Sequence, residues 1–112
     1  MTADELKDAV IAILDDMKAR DIQVMDVRGV SGVTDYMVIC SGTSSRHVKS
    51  VAGKVELDMK QRGVRALGVE GAQEAEWVLV DFGDVVVHVM QPESRQFYDL
   101  EKLWRVSAPP HS

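Results

Sequence analysis

Residues 76–90 read Glu76-Trp-Val-Leu-Val-Asp-Phe-Gly-Asp-Val-Val-Val-His-Val-Met90, two apolar runs of strand length broken once by Phe82-Gly83-Asp84. Apolar runs on either side of a Gly-containing turn predict a β-hairpin. No other stretch is so β-branched, so this hairpin is expected at the middle of a sheet. Within one strand successive side chains alternate faces, which sets Trp77, Leu79 and Asp81 on one side and Val78, Val80 and Phe82 on the other.

Upstream, Thr2-Ala-Asp-Glu5 has the capping-box form. Leu6, Val10, Ile13, Leu14 and Met17, with Ala9, then recur at steps of three and four, which predicts an amphipathic helix to about Arg20. Ile22 to Arg28 alternates as a strand before the turn-rich Gly29-Val-Ser-Gly32. Asp35 to Cys40 is a nearly continuous apolar run, as in a strand covered on both faces. It runs into Ser41-Gly-Thr-Ser-Ser-Arg-His47, where Thr43 or Ser44 can cap a helix burying Val48, Val51, Ala52, Val55 and Met59 and closed by Gly63. Val64 to Val69 is a weaker strand. Beyond the hairpin, Pro92 suits a first helical turn, and Phe97, Leu100, Leu103 and Trp104 give that helix an apolar side. The order α, β, β, α, β, β, β, α predicts an α/β domain of α+β character, with a mixed sheet and some parallel pairing through the second helix.

At 112 residues, 46% hydrophobic and 28% charged, the chain suits one globular domain. No apolar run approaches the roughly 20 residues of a membrane helix, and Asp4, Glu5, Lys7 and Asp8 argue against a signal peptide, so a cytoplasmic protein is expected. A formal charge of −5 disfavours general nucleic-acid binding and suits a basic protein partner. Cys40, the single cysteine, lies within an apolar run and is expected to be a buried, inert thiol.

Several constellations bear on chemistry. Gly42-Thr43-Ser44, between a strand and a helix, resembles a phosphate-binding turn but lacks the spacing of a P-loop or a dinucleotide fold. Combined with Asp81 and Asp84, it would make a nucleotide and metal site of the nucleotidyltransferase kind. Asp84 stands three positions from Asp81, at the turn, so the two do not pair on one strand face. His47 and His88 have no second ligand at metal spacing, and a hydrogen-bonded or surface role is the better reading. Trp77, flanked by Glu74 and Glu76 with Asp81 on the same strand face, is either a core residue or an aromatic anchor in an acidic surround suited to a basic partner.

Four ordered blocks carry a resemblance: Asp35 to Val48, Gly68-Val-Glu-Gly71, Trp77 to Met90, and Glu93-Ser-Arg-Gln-Phe-Tyr-Asp-Leu-Glu-Lys-Leu-Trp104. Together they resemble the ribosomal silencing factor family, also called iojap-like. The resemblance implies a single domain over residues 1–105, with a nucleotidyltransferase-like mixed five-stranded sheet, flanking helices and none of that activity. Residues 106–112 would be a disordered tail. It further implies a translational repressor that binds the large ribosomal subunit through its ribosomal protein number fourteen and sterically blocks joining of the small subunit. No cofactor, metal or catalytic residue is implied, and little or no direct nucleic-acid binding. Trp77, Val80, Asp81, Phe82, Asp84 and Tyr98 are the partner-binding candidates, although Val80 and Asp81 cannot face the same way. Some relatives are dimers, and the sequence leaves a homodimer open. The competing reading is a small nucleotidyltransferase-like nucleotide-binding module.

Overall fold

In the structure, a computed structural model, residues 1–98 are described except Val30, Ser31 and Val33, and Phe97 and Tyr98 are described by their backbone alone. Helix α1 spans Ala3–Asp16, with the Thr2 hydroxyl accepting from the Glu5 N–H and the Glu5 carboxylate accepting from the Thr2 N–H. These bonds hold the Glu5 carboxyl below its ordinary range. The helix stops short of Arg20 because Lys18 turns into the left-handed region, φ 59°, and Arg20 already opens strand β1, Arg20–Asp26.

Strand β2, Tyr36–Ser41, is buried along its whole length, as its continuous apolar run predicts. Helix α2, Ser45–Gln61, is capped by the Ser44 hydroxyl and buries the five predicted residues Val48, Val51, Ala52, Val55 and Met59. Gly63 follows at φ 87°, a conformation that costs a Cβ-free residue little. Strand β3 is only Gly68–Glu70, shorter than the expected Val64 to Val69, since Gly63 and Val64 still donate to carbonyls of the last turn of α2.

The hairpin forms as expected, with β4 as Trp77–Asp81 and β5 as Val85–Met90, antiparallel. Gly83 takes φ 86° in the turn, and the Asp81 carboxylate accepts its N–H at 2.8 Å. The sheet order is β1-β2-β5-β4-β3, with β5 at the centre. β2 and β5 run parallel and the remaining pairs antiparallel. Helix α3 runs from Pro92 to Tyr98. The expectations for Leu100, Leu103, Trp104 and the tail fall outside the described residues.

The two sheet faces differ in kind. On one, α1 and α2 pack against Val38, Cys40, Val78, Val80, Val85, Val87 and Val89 in a single core. Each fully buried valine there contributes roughly 1.5–3 kcal/mol, which explains why the strand centre is so β-branched. The other face carries a smaller cluster of Met37, Ile39 and Met90, with Met25 and Trp77 against it. Among the described residues no helix is long and apolar enough to cross a membrane.

Candidate functional site

Strand alternation decides which predicted residues are available to a partner. Burial along β4 runs partly exposed, buried, partly exposed, buried, partly exposed from Trp77 to Asp81. Val80 is fully buried and Phe82 nearly so, both in the helix-side core. As contact candidates these two are corrected by their burial: their side chains support the strand from behind. Trp77, Leu79 and Asp81 share the outer face. Asp84 is exposed at the turn, where its carbonyl accepts the N–H groups of Asp35 and Tyr36 and so anchors the start of β2. The Tyr98 side chain lies outside the described residues.

Trp77 stands between two concavities. One, of about 290 Å³, is lined by Glu70, Gly71, Trp77 and Leu79. The other, of about 170 Å³, is lined by Gly71, Glu74, Glu76, Trp77 and Ser94. The register explains this grouping, since Glu70 of β3 pairs with Leu79. Gly71 is required beneath it. At φ 83°, a Cβ there would lie 2.1 Å from the Trp77 carbonyl oxygen. On one side the indole meets the aliphatic Leu79 with the Glu70 carboxylate, on the other the Glu74 and Glu76 carboxylates, and either side can receive a lysine or arginine side chain through cation–π and charge attraction. The sequence pointed to Glu74, Glu76 and Trp77. Leu79 was legible from alternation, whereas Glu70 and Ser94 needed the register of β3 and the path of α3.

Inside this surface lies a further contact. The Trp77 indole N–H donates to His88 Nδ1 at 2.8 Å, and the two rings stand 5.7 Å apart. His88 is only 5% exposed, and burial pushes its pKa down to about 4, so the ring is neutral. An indole nitrogen is only a donor, so Nδ1 is the acceptor and the ring proton sits on Nε2. Among the described residues that Nε2 has no hydrogen-bond partner.

The turn Gly42-Thr43-Ser44 is filled by its own side chains and neighbours. The Gly42 N–H goes to the Met90 carbonyl, the Thr43 N–H to His47 Nδ1, and Ser44 Oγ accepts the His47 N–H. His47 Nε2 then donates to the Met17 carbonyl at 2.9 Å, tying the end of α1 to the start of α2. Gly42 is required because a Cβ would lie 2.7 Å from Val48 Cγ2, a packing reason and not a phosphate one. The register also separates this turn from the carboxylates. Ser41 and Trp77 both pair with Met90, while Asp81 pairs with Val86, four residues or ~13 Å along the strand. Asp81 itself is engaged in its turn. Among the described residues no group of three or more His, Cys, Asp or Glu side chains could hold a metal ion. The nucleotide-binding reading therefore finds its two halves at opposite ends of the sheet. Cys40 is buried on the helix side, with its thiol pushed up to about 12.

These features define a small α/β domain on a mixed five-stranded sheet, whose distinctive surface is an acid-rimmed aromatic cleft at one end of the central hairpin. Residues 1–111 match the model of the family described as ribosomal silencing factor during starvation. The chain is 44% identical to ribosomal silencing factor RsfS of Haemophilus influenzae over 99 residues, 88% of this chain and 97% of that one. It is 41% identical to the mouse protein named mitochondrial assembly of ribosomal large subunit protein 1, over 87% of this chain and 44% of that longer one. A crystal structure of a Chromobacterium violaceum protein superposes with a TM-score of 0.92 at 40% identity, covering 99% of this chain and 92% of that one. The chain belongs to the ribosomal silencing factor family. Its members are named as silencing factors, not enzymes, and membership supports a ribosome-associated silencing role.

Proposed function

We propose that this protein is a non-enzymatic, cytoplasmic repressor of translation that docks on the large ribosomal subunit through its ribosomal protein number fourteen and blocks joining of the small subunit. The observation that carries this reading is the cleft around Trp77, with Glu70, Glu74 and Glu76 at its rim, on a chain of this family. A basic ribosomal protein is the partner such a rim favours, because opposite charge speeds encounter and fixes orientation. The mouse relative's name, which refers to large-subunit assembly, supports the choice of subunit. The contact is centred on Trp77 and runs along the outer face through Leu79 toward Asp81 and the Asp84 turn. The block is steric, with no bond made or broken.

The test is sedimentation of large subunits preincubated with the protein and then mixed with small subunits. Joining should fall as the protein saturates, and full joining at saturation refutes the reading. Trp77→Ala should weaken large-subunit binding by about 2 kcal/mol, roughly thirtyfold, with an unchanged circular-dichroism spectrum.

A further inference from the structure

We infer that His88 is the positioning residue of the docking surface, holding the Trp77 indole in its presented orientation through the bond from the indole N–H to Nδ1. This deepens the docking reading above and rests on it for the binding arm of its test.

Three observations converge. First, His88 and Trp77 lie on the same outer face of adjacent strands, since Leu79 pairs with His88 and Trp77 with Met90. The 2.8 Å bond is therefore built by the register of the hairpin, not by a loop. Second, the indole is only partly buried and lines both concavities, while its nitrogen is tied inward to His88. A side chain with two free torsions that is fixed before docking loses less entropy on docking. Third, His88 is a poor choice for packing alone. In register it is flanked by Ile39 and Leu79, within a strand otherwise made of valine and methionine. Among the described residues it leaves a buried Nε2–H without a partner, which an aliphatic residue would not. The fold retains this costly group where its directional contact is the indole of the docking cleft.

A purely structural histidine and a positioning one respond oppositely to replacement. His88→Leu removes both the acceptor and the orphan N–H at similar volume, while His88→Asn restores an acceptor near the place of Nδ1. The experiment uses the full chain and reads three quantities at neutral pH. These are the thermal midpoint, the indole N–H resonance of Trp77 assigned with Trp77→Phe because Trp104 supplies the other, and affinity for purified large subunits. His88→Leu should keep or raise the midpoint, move the indole resonance and speed its exchange with water, and weaken binding about tenfold. His88→Asn should recover the resonance and most of the binding. If His88→Leu fails to fold, His88→Phe stands in with the same outcomes. An unchanged indole resonance and unchanged affinity in the folded apolar variant overturn the inference. So does affinity that falls only in proportion to stability, with no rescue by asparagine. Should the wild-type protein not bind large subunits, the docking proposal falls, and the indole resonance alone still decides whether His88 holds the ring.

Discussion

Burial of His88 makes stability depend on pH in a direction and window that can be worked out in advance. An ordinary histidine takes up its proton near pH 6.5, whereas the folded protein holds His88 neutral until about 4. Between those values the unfolded chain binds more protons than the folded one, so stability falls as pH falls and is fully present only above about 6.5. Over a window of this width the loss reaches about 2.5 kcal/mol near pH 4.5 and levels off at about 3 kcal/mol at lower pH. Other groups titrate in the same range. The Glu5 carboxyl is lowered by its bonds to Thr2, and that of Asp26 by Arg28, so acid weakens both ends of that comparison. The informative quantity is therefore a difference of differences: urea unfolding of wild type and His88→Leu at about pH 7.5 and about 4.5. Wild type should lose about 2.5 kcal/mol more than the variant on acidification. Parallel pH profiles for the two proteins would refute the reasoning, because they would mean that His88 titrates alike folded and unfolded.

Other outcomes follow from single contacts. Gly71→Ala forces a Cβ onto the Trp77 carbonyl at positive φ and should destabilise by about 3 kcal/mol or more; a wild-type melting curve would show that the turn relaxes freely. Thr2→Ala removes one half of the capping box and should cost about 1 kcal/mol in denaturant melts while leaving large-subunit affinity unchanged. Cys40, with its thiol pushed up to about 12 in the core, should resist alkylation in the folded protein at about pH 8 and react only on unfolding; stoichiometric labelling of the native state would contradict its placement.

Much of the fold was legible because local chemistry and global packing agree. The Thr2 and Glu5 capping box, the stripe Val48-Val51-Ala52-Val55-Met59 and the break at Gly83 each express a rule that acts within one turn or one strand. The misplaced boundaries share a cause. The apolar stripe of α1 reaches Met17, but the helix yields at Lys18 because β1 must begin at Arg20 to pair with Ser41. Likewise β3 shrinks to three residues because Val64 still belongs to the end of α2.

For the site, the sequence alone determined Trp77, its acidic neighbours Glu74 and Glu76, and the alternation that separates Val80 from Asp81. It also weakened the paired-carboxylate reading through the spacing of Asp81 and Asp84. Those are properties of residues a few positions apart, fixed by the pleat of one strand. Only the tertiary structure decided that Glu70 and Ser94 close the cleft, that the Gly42 turn and Asp81 lie at opposite ends of the sheet, and that His88 ties down the indole. Each of these depends on strand register and on how elements far apart in sequence meet, and register is a property of the assembled sheet, set by packing on its two faces.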